Sequence, residues 1–175
     1  MRLSIRGMTT EDWPAVARIY QEGMDTNLAT FQTECPGWQE WNAAHLPQCR
    51  LVAVADDAVA GWVALSPYSS RSVYSGVAHL SIYIGAEARG MGVGKALMTA
   101  MIAASEEAGF WTLQSGIMEN NTASIALHNS CGFRQVGYRE KIGRDRTGVW
   151  RNTLLMERRS TRDDFRDQTR GGCCC

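Results

Sequence analysis

Residues 82–97 have the sequence IYIGAEARGMGVGKAL, in which a short apolar run precedes a polar break, glycines behind an arginine, and residues that favour a helix. A glycine-rich turn between a strand and a helix leaves backbone N–H groups unpaired at the positive end of the helix dipole, where phosphate groups bind. Glycine also lets an anion approach the backbone closely. The stretch therefore predicts an anion site at the start of a helix.

Three phosphate-binding patterns can be tested against these letters. The dinucleotide pattern G-x-G-x-x-G fails because its third glycine would fall on Lys95 or Leu97. The P-loop pattern fails because Gly94 and Lys95 are followed by alanine, and because Arg89 stands where its first glycine is needed. The pattern that remains is R-x-x-G-x-G, formed by Arg89, Gly92 and Gly94. The alternative is an ordinary strand-to-helix turn whose glycines serve tight packing.

Composition limits the class of protein. The 175 residues suit one domain, 45% of them are hydrophobic, and 18 Lys and Arg balance 18 Asp and Glu. These values disfavour a disordered chain and a basic nucleic-acid binder. No run approaches the roughly 18 apolar residues of a membrane span, so a cytoplasmic protein without a membrane partner is expected. The cysteines form no C-x-x-C pair, and Cys35, Cys49 and Cys131 are expected to be buried thiols.

Hydrophobic periodicity and turn residues predict alternating strands and helices. Strands are predicted at 3–6, 51–56, 59–66, 77–84, 111–117, 134–142 and 149–158, and helices from Asp12 onward and at 38–45, 94–109 and 122–133. The mixed order predicts an α/β domain around a mixed sheet, with 77–84 and 111–117 as a parallel pair bridged by the 94–109 helix. Residues 1–160 are expected to form one domain and residues 161–175 a mobile tail.

The glycine pattern resembles the pyrophosphate-binding segment of the GCN5-related N-acetyltransferases (GNAT family). Four further segments resemble successive blocks of the phosphinothricin and methionine sulfoximine acetyltransferase branch of that family. They are ATFQTECPGWQEWNAAH (29–45), SSRSVYSGVAHLSIYI (69–84), MENNTASIALHNSCGFRQVG (118–137) and GVWRNTLLMERRS (148–160). The resemblance thus extends, in order, over residues 1–160.

The resemblance implies the GNAT fold, a mixed and mostly antiparallel sheet with a central splayed parallel pair, flanked by helices. Acetyl-CoA would lie in the splay, with its pyrophosphate on the N–H groups of residues 90–95 and its pantetheine arm on free backbone groups of Ile82 and Ile84. An N–H near Ile82 would hold the oxyanion. The implied cofactor-binding residues are Ile82, Tyr83, Ile84, Arg89, Gly90, Met91, Gly92, Val93, Gly94, Lys95, Asn120 and Ser124.

Two histidines are the implied catalytic residues. An amine attacks only in its neutral form, and deprotonation at pH 7 costs about 1.4 kcal/mol for an α-amine but roughly 4 to 5 kcal/mol for a lysine-like amine. Relatives carry Glu at the position of His79, whose ordinary pKa of about 6.5 also suits a general base. His128 would protonate or hydrogen-bond the departing thiolate. For each histidine the alternative is a structural role.

The acceptor site is implied by residues from three segments. Arg71 and Tyr74 would hold a carboxylate or phosphinate of the acceptor. Phe31, Glu34, Trp150 and Arg151, with Trp38, are candidates for the substrate wall or, equally, for the core. Gln32 and Asn152 stand where the branch commonly has Glu and Asp, which alters the expected charge preference.

The sequence thus favours an acetyl-CoA-dependent N-acetyltransferase acting on the α-amino group of a small amino-acid-like molecule. Two other functions stay open, an acetyl-CoA-binding module that has lost turnover and a protein or peptide N-acetyltransferase. A homodimer is expected by resemblance, and no metal and no nucleic acid are expected. The terminal Cys173, Cys174 and Cys175 suggest a soft metal site as a minor alternative to a disordered end.

Overall fold

We describe the fold from a computed structural model, which describes residues 2–166. Its elements in chain order are β1 (Leu3–Gly7), α1 (Trp13–Asp25), α2 (Trp38–Ala44), β2 (Leu51–Ala55), β3 (Ala58–Pro67), β4 (Val77–Ile84), α3 (Val93–Glu107), β5 (Thr112–Met118), α4 (Thr122–Ser130), β6 (Arg134–Arg144) and β7 (Trp150–Arg159). Every predicted strand and helix is present. The largest boundary error is at the end of α4, which stops before Gly132, a residue with a φ of +83°.

The seven strands form one sheet in the order β1-β2-β3-β4-β5-β7-β6. Neighbouring strands are antiparallel except β4 and β5, which are parallel and joined through α3, as predicted. These two strands pair only at three positions, from Val77 opposite Thr112 to His79 opposite Gln114. Beyond His79 they separate, whereas β4 remains paired with β3 along its whole length. The α/β GNAT fold is confirmed, including its splayed central pair.

Helices cover the two faces of the sheet unequally. Helix α3 buries Val93, Leu97, Met98 and Met101 on one face, at the spacing of a single apolar stripe. Helices α1 and α2 cover the other face over β2 and β3, where they enclose an aromatic cluster around Trp62. No helix among residues 2–166 packs on this second face over β5, β7 and β6. That uncovered part of the sheet is where an open site can form.

Three further sequence-based expectations concern the cysteines, the C-terminal tail and membrane-spanning helices. Cys35, Cys49 and Cys131 are free but only partly buried, so the prediction that they are buried thiols is wrong. The first residues of the predicted tail include a short 3₁₀ turn at Asp163–Phe165, where the ring of Phe165 lies 6.3 Å from that of Trp111. The rest of that tail, with its cysteine trio, lies outside the described residues. No helix in residues 2–166 has the length and apolar character needed to cross a bilayer.

Candidate active site

The predicted anion site is a turn whose backbone requires glycine. Gly90 and Gly92 have φ angles of +74° and +83°, and a Cβ built on either would meet no atom within 4 Å. A positive φ disfavours other residues, and the open space lets a ligand approach the main chain. The first hydrogen bond of α3 runs from Ala96 N to Gly92 O, so the N–H groups before it have no partner within the helix. This turn fits a diphosphate.

A groove of about 600 Å³ leads from this turn along the end of β4 and across α4. Nine of the predicted cofactor-binding residues line it, namely Ile82, Tyr83, Ile84, Arg89, Gly90, Gly92, Gly94, Lys95 and Ser124. Met91 and Val93 do not line it, because the Met91 side chain is exposed and that of Val93 belongs to the core. The backbone of both residues still belongs to the glycine turn.

The gap between β4 and β5 exposes backbone groups on one side of β4. Gly85 N donates to Ala60 O, on the β3 side, so alternate residues before it direct their backbone groups away from β3. Leu80 O accordingly lies 3.4 Å from Ser115 Oγ, and Ile84 O accepts from Arg89 Nε at 3.2 Å. Ile82 lies between them, beyond the last residue of β4 that pairs with β5. Its N–H and C=O therefore face the gap, as predicted, whereas the Ile84 carbonyl is already shared with Arg89.

Asn121, rather than the predicted Asn120, lies in the groove. Asn120 is exposed, whereas Asn121 caps α4 by accepting from Ser124 N at 3.2 Å through Oδ1. Its Nδ2 donates to Leu28 O at 3.2 Å and so ties the loop after α1 to α4. Asparagine directly before a helix is a strong N-cap residue, so the sequence also contains a signal for the capping role of Asn121.

His128 is buried, with 2% of its surface exposed, and both ring nitrogens are occupied. Nδ1 lies 2.8 Å from Ser124 O, a carbonyl that can only accept, which assigns the ring proton to Nδ1. Nε2 lies 2.9 Å from Ser115 Oγ and therefore accepts from that hydroxyl. Burial lowers the pKa of His128, so the ring is neutral near pH 7. This arrangement leaves no ring proton for a leaving group, contrary to the predicted role as an acid.

A second, smaller cavity of about 260 Å³ lies on the uncovered face, and the predicted residues in its wall are His79, Phe31 and Tyr83, the last predicted to bind the cofactor. It shares Ala29 and Tyr83 with the groove, so the two spaces meet at the gap in the sheet. The other wall residues have no sequence signal that separates them from core residues. They are Tyr20, Ala29, Thr30, Leu80, Ser81, Gln114, Ser115, Gly116, Met118 and Thr153. We call this cavity the acceptor pocket.

His79 is the histidine in the wall of the acceptor pocket. Burial lowers its pKa, and the positive charge of Arg139 lowers it further, so the imidazole is neutral near pH 7. Arg139 lies opposite Thr153, and Thr153 lies opposite Met118, which places Arg139 on the face that carries His79. Gln114, the neighbour of His79 on β5, is 3.4 Å from Glu157 through its amide nitrogen. A half-buried neutral imidazole is suited to accept a proton.

The wall behind the pocket is aromatic and polar. The rings of Tyr20 and Tyr83 lie 4.7 Å apart, and Tyr20 donates its hydroxyl proton to Gln32. Burial raises the pKa of Tyr83 and keeps its hydroxyl neutral. Gly23 makes this packing possible, because a Cβ there would lie 2.5 Å from the Tyr83 ring. Gln32 thus holds a tyrosine in place, a role that the sequence did not indicate.

Six predicted acceptor residues do not reach the pocket wall, namely Glu34, Trp38, Arg71, Tyr74, Trp150 and Arg151. Arg71 lies over the ring of Tyr74 at 5.6 Å, and Tyr74 touches Tyr68, whose ring is 5.5 Å from that of His79. These successive contacts place Arg71 and Tyr74 beside the pocket, behind Tyr68. Glu34 and Trp150 are exposed and line no part of the pocket.

Arg151 and Trp38 have structural partners. Arg151 Nε is 2.6 Å from the buried carboxylate of Asp145, which also accepts from Asn27 Nδ2 at 3.1 Å. These bonds anchor the β6–β7 turn to the segment that carries Phe31. Trp38 stacks on Trp41 and lines a separate opening of about 750 Å³. That opening is larger than the groove, but none of the predicted catalytic or cofactor-binding residues lines it.

Comparison with known proteins agrees with this geometry. The model of the acetyltransferase (GNAT) family matches residues 13–133. The chain belongs to the GNAT family. It is an N-acetyltransferase, as the sequence predicted.

Three relatives show which members of the GNAT family this chain is similar to. The chain is 34% identical to a phosphinothricin N-acetyltransferase of Alcaligenes faecalis, over 89% of this chain and 81% of that protein. It is 27% identical to an L-methionine sulfoximine/L-methionine sulfone acetyltransferase of Pseudomonas paraeruginosa, over 90% and 94% of the two chains. A solved phosphinothricin acetyltransferase from Sinorhizobium meliloti, in complex with acetyl-CoA, superposes with a TM-score of 0.81 at 28% identity, covering 91% of this chain and 89% of that one.

Proposed function

We propose that this GNAT enzyme transfers the acetyl group of acetyl-CoA to the α-amino group of a small amino-acid-like molecule of the phosphinothricin or methionine sulfoximine type. The observation that carries the proposal is the meeting of two spaces at the gap between β4 and β5. One is the groove that ends in the glycine turn, and the other is the acceptor pocket with His79 in its wall. The relatives described above act on substrates of this size.

The residues fit acetyl-CoA in three ways. The turn at Gly90 and Gly92 offers unpaired N–H groups and open space to a pyrophosphate. The backbone of Ile82 offers a donor and an acceptor to the amides of a pantetheine arm, as a neighbouring strand would. Ser124 and Asn121 border the same groove from α4. When bound, acetyl-CoA supplies the thioester that the amine attacks.

The roles of the chain's own groups follow from their places. His79 Nδ1 or Nε2, neutral at pH 7, takes the proton that the attacking amine loses. The N–H of Ile82, unpaired on the gap side, donates to the carbonyl oxygen as it gains negative charge. Tyr20, Tyr83 and Phe31 exclude water from the acceptor pocket and position the acceptor's side chain.

The size of the pocket favours a small acceptor. Its volume of about 260 Å³ lies below the range of roughly 300 to 1,000 Å³ that holds drug-sized ligands. An amino acid analogue fits such a space, whereas a peptide needs an open groove. Arg71, stacked on Tyr74 behind Tyr68, is the proposed partner of the acceptor's carboxylate or phosphinate.

An amine panel tests the proposal. Release of the coenzyme A thiol is followed with phosphinothricin, methionine sulfoximine, methionine sulfone, the common amino acids, and peptides with free N-termini or lysines. We expect turnover with the first three at the highest kcat/KM. Faster turnover of peptides would assign a protein or peptide N-acetyltransferase. Thermal stabilisation by acetyl-CoA without release from any amine would assign a binding module, which the histidine in place of glutamate at position 79 would then explain.

We also propose a homodimer. The β6–β7 hairpin exposes a set of large apolar side chains, namely Val136, Tyr138, Ile142, Val149 and Trp150. Exposed apolar clusters of this kind commonly mark protein interfaces. Light scattering should give twice the mass of one chain, and an Ile142→Glu variant should give the mass of one chain.

A further inference from the structure

Ser115 lies at the apex of the gap between β4 and β5. Gln114 is the last β5 residue that pairs with β4, so Ser115 is the first beyond the pairing. Its Oγ is 3.4 Å from Leu80 O, which belongs to the first unpaired residue of β4. Ser115 lines the acceptor pocket and also a cavity of about 80 Å³ that continues toward Ile82 and Ser124. Its hydroxyl is therefore at the junction where a thioester must lie.

The Ser115 hydroxyl is held by a buried histidine. His128 Nε2 is 2.9 Å from Ser115 Oγ, while Nδ1 is 2.8 Å from Ser124 O. The Nδ1 proton is committed to the carbonyl, so Nε2 is an acceptor that orients the serine hydroxyl. The side chain of Ser115 is 4% exposed and that of His128 is 2% exposed, so the pair is fixed from within the protein.

We propose that Ser115, not His128, is the group that contacts the sulfur of the departing coenzyme A, and that His128 is its positioning residue. This inference rests on the proposed function. As the carbon–sulfur bond breaks, its electron pair stays on sulfur, and the Ser115 hydroxyl turns from His128 Nε2 to donate a hydrogen bond to the thiolate. The serine O–H bond stays intact. The proton lost by the amine goes to His79, and the thiolate is protonated from solvent.

The first test compares Ser115→Ala with Ser115→Thr, which keeps a hydroxyl. Loss of one preorganised donor to developing negative charge typically costs roughly 10²-fold or more in kcat. We expect about that loss in Ser115→Ala, with an unchanged calorimetric Kd for coenzyme A and an unchanged acid limb of the pH–rate profile. Ser115→Thr should recover most of the turnover. Ser105→Ala, which removes a buried hydroxyl from the far end of α3, is the matched control and should keep wild-type turnover.

The second test distinguishes leaving-group stabilisation from a packing defect. S-aryl thioacetates with increasingly acidic thiols are used as acyl donors, and kcat/KM is compared between wild type and Ser115→Ala. The loss should shrink as the thiol becomes more acidic, because a stable thiolate needs less help. A loss that is constant across the series would overturn the inference.

The third test concerns His128. If His128 acts through Ser115, a His128→Gln/Ser115→Ala double variant should lose no more kcat than Ser115→Ala alone. Additive losses would restore His128 as an independent catalytic group and overturn its positioning role. Wild-type turnover in Ser115→Ala would refute the inference while leaving acetyl transfer intact. A wild-type enzyme that releases no thiol with any amine would refute the proposed function itself, and the inference with it.

Discussion

The groove and the acceptor pocket of this GNAT enzyme are built in different ways. The groove takes about half of its lining from one continuous segment, Ile82 to Lys95, and the rest from α4 and from the end of α1 with the loop after it. The acceptor pocket is formed by side chains from α1, the loop after it, β4, β5 and β7. A short local pattern therefore specifies the glycine turn of the first site. The second depends on how distant elements meet, so its residues can change without altering the fold.

The strongest test of the pocket is removal of His79, its proposed base. His79→Gln keeps a polar side chain but cannot take a proton, so kcat should fall by roughly 10²- to 10³-fold. The acid limb of the wild-type kcat profile should have its midpoint below pH 6.5, because burial and Arg139 lower the pKa of His79 from 6.5. His45→Gln is the control, since His45 is also buried but stacks on Trp41 outside the site. A variant profile that keeps the acid limb would reject His79 as the base.

The next test addresses the groove. Gly92→Ala places a Cβ on a residue with a φ of +83°, which costs about 1 to 2 kcal/mol and corresponds to about a 5- to 30-fold weaker Kd for coenzyme A if the turn shifts to relieve the strain. Gly109→Ala is a matched control, because Gly109 has a φ of +90° at the other end of α3 and equal open space. Calorimetry should show weaker binding only for Gly92→Ala. Equal affinities of the two variants for coenzyme A would show that the turn is not part of the binding site.

Substitutions of the two arginines near the pocket should have smaller effects, and each should change a different kinetic quantity. Arg71→Ala should raise the KM of the amino acid acceptor several-fold with little change in kcat, because it removes the proposed carboxylate partner. Arg139→Ala should instead move the acid limb of kcat up toward pH 6.5 by a fraction of a pH unit, because removing a nearby positive charge lets His79 bind its proton more easily. Arg166→Ala, a remote exposed arginine, should change neither. An acid limb that does not move in Arg139→Ala would contradict the electrostatic coupling between Arg139 and His79.

The smallest expected effect is on stability. Burial lowers the pKa of His45, His79 and His128, so each is neutral when folded and takes up a proton more readily when unfolded. Stability is therefore fully present above pH 6.5 and falls as the pH drops below 6.5. The midpoint of urea unfolding should decrease from pH 7 to pH 5, and by less in His45→Gln. An unchanged slope in that variant would contradict the role of burial.

The sequence was informative where a local rule determines the structure. The R-x-x-G-x-G pattern identified the glycine turn at the start of α3, and apolar runs with their turn residues placed every strand and helix. It was less informative about contacts between side chains that are distant in the sequence. Arg151 was predicted as a candidate for the substrate wall, but its guanidinium is bound to Asp145. No pattern predicts that Gln32 accepts from Tyr20, or that Ser115 of β5 contacts His128 of α4, because those contacts join residues brought together by folding.

The early separation of β4 from β5 has a cost that a bound ligand can offset. The middle of the sheet gives up ladder hydrogen bonds between its two central strands after three residue pairs. A pantetheine arm in the gap would restore some of them, so amide hydrogen exchange at Ile82 should slow on saturation with coenzyme A, whereas exchange in β1 and β2 should not. Bound coenzyme A would then complete the hydrogen bonding of the central strands, and binding would make the folded enzyme more rigid.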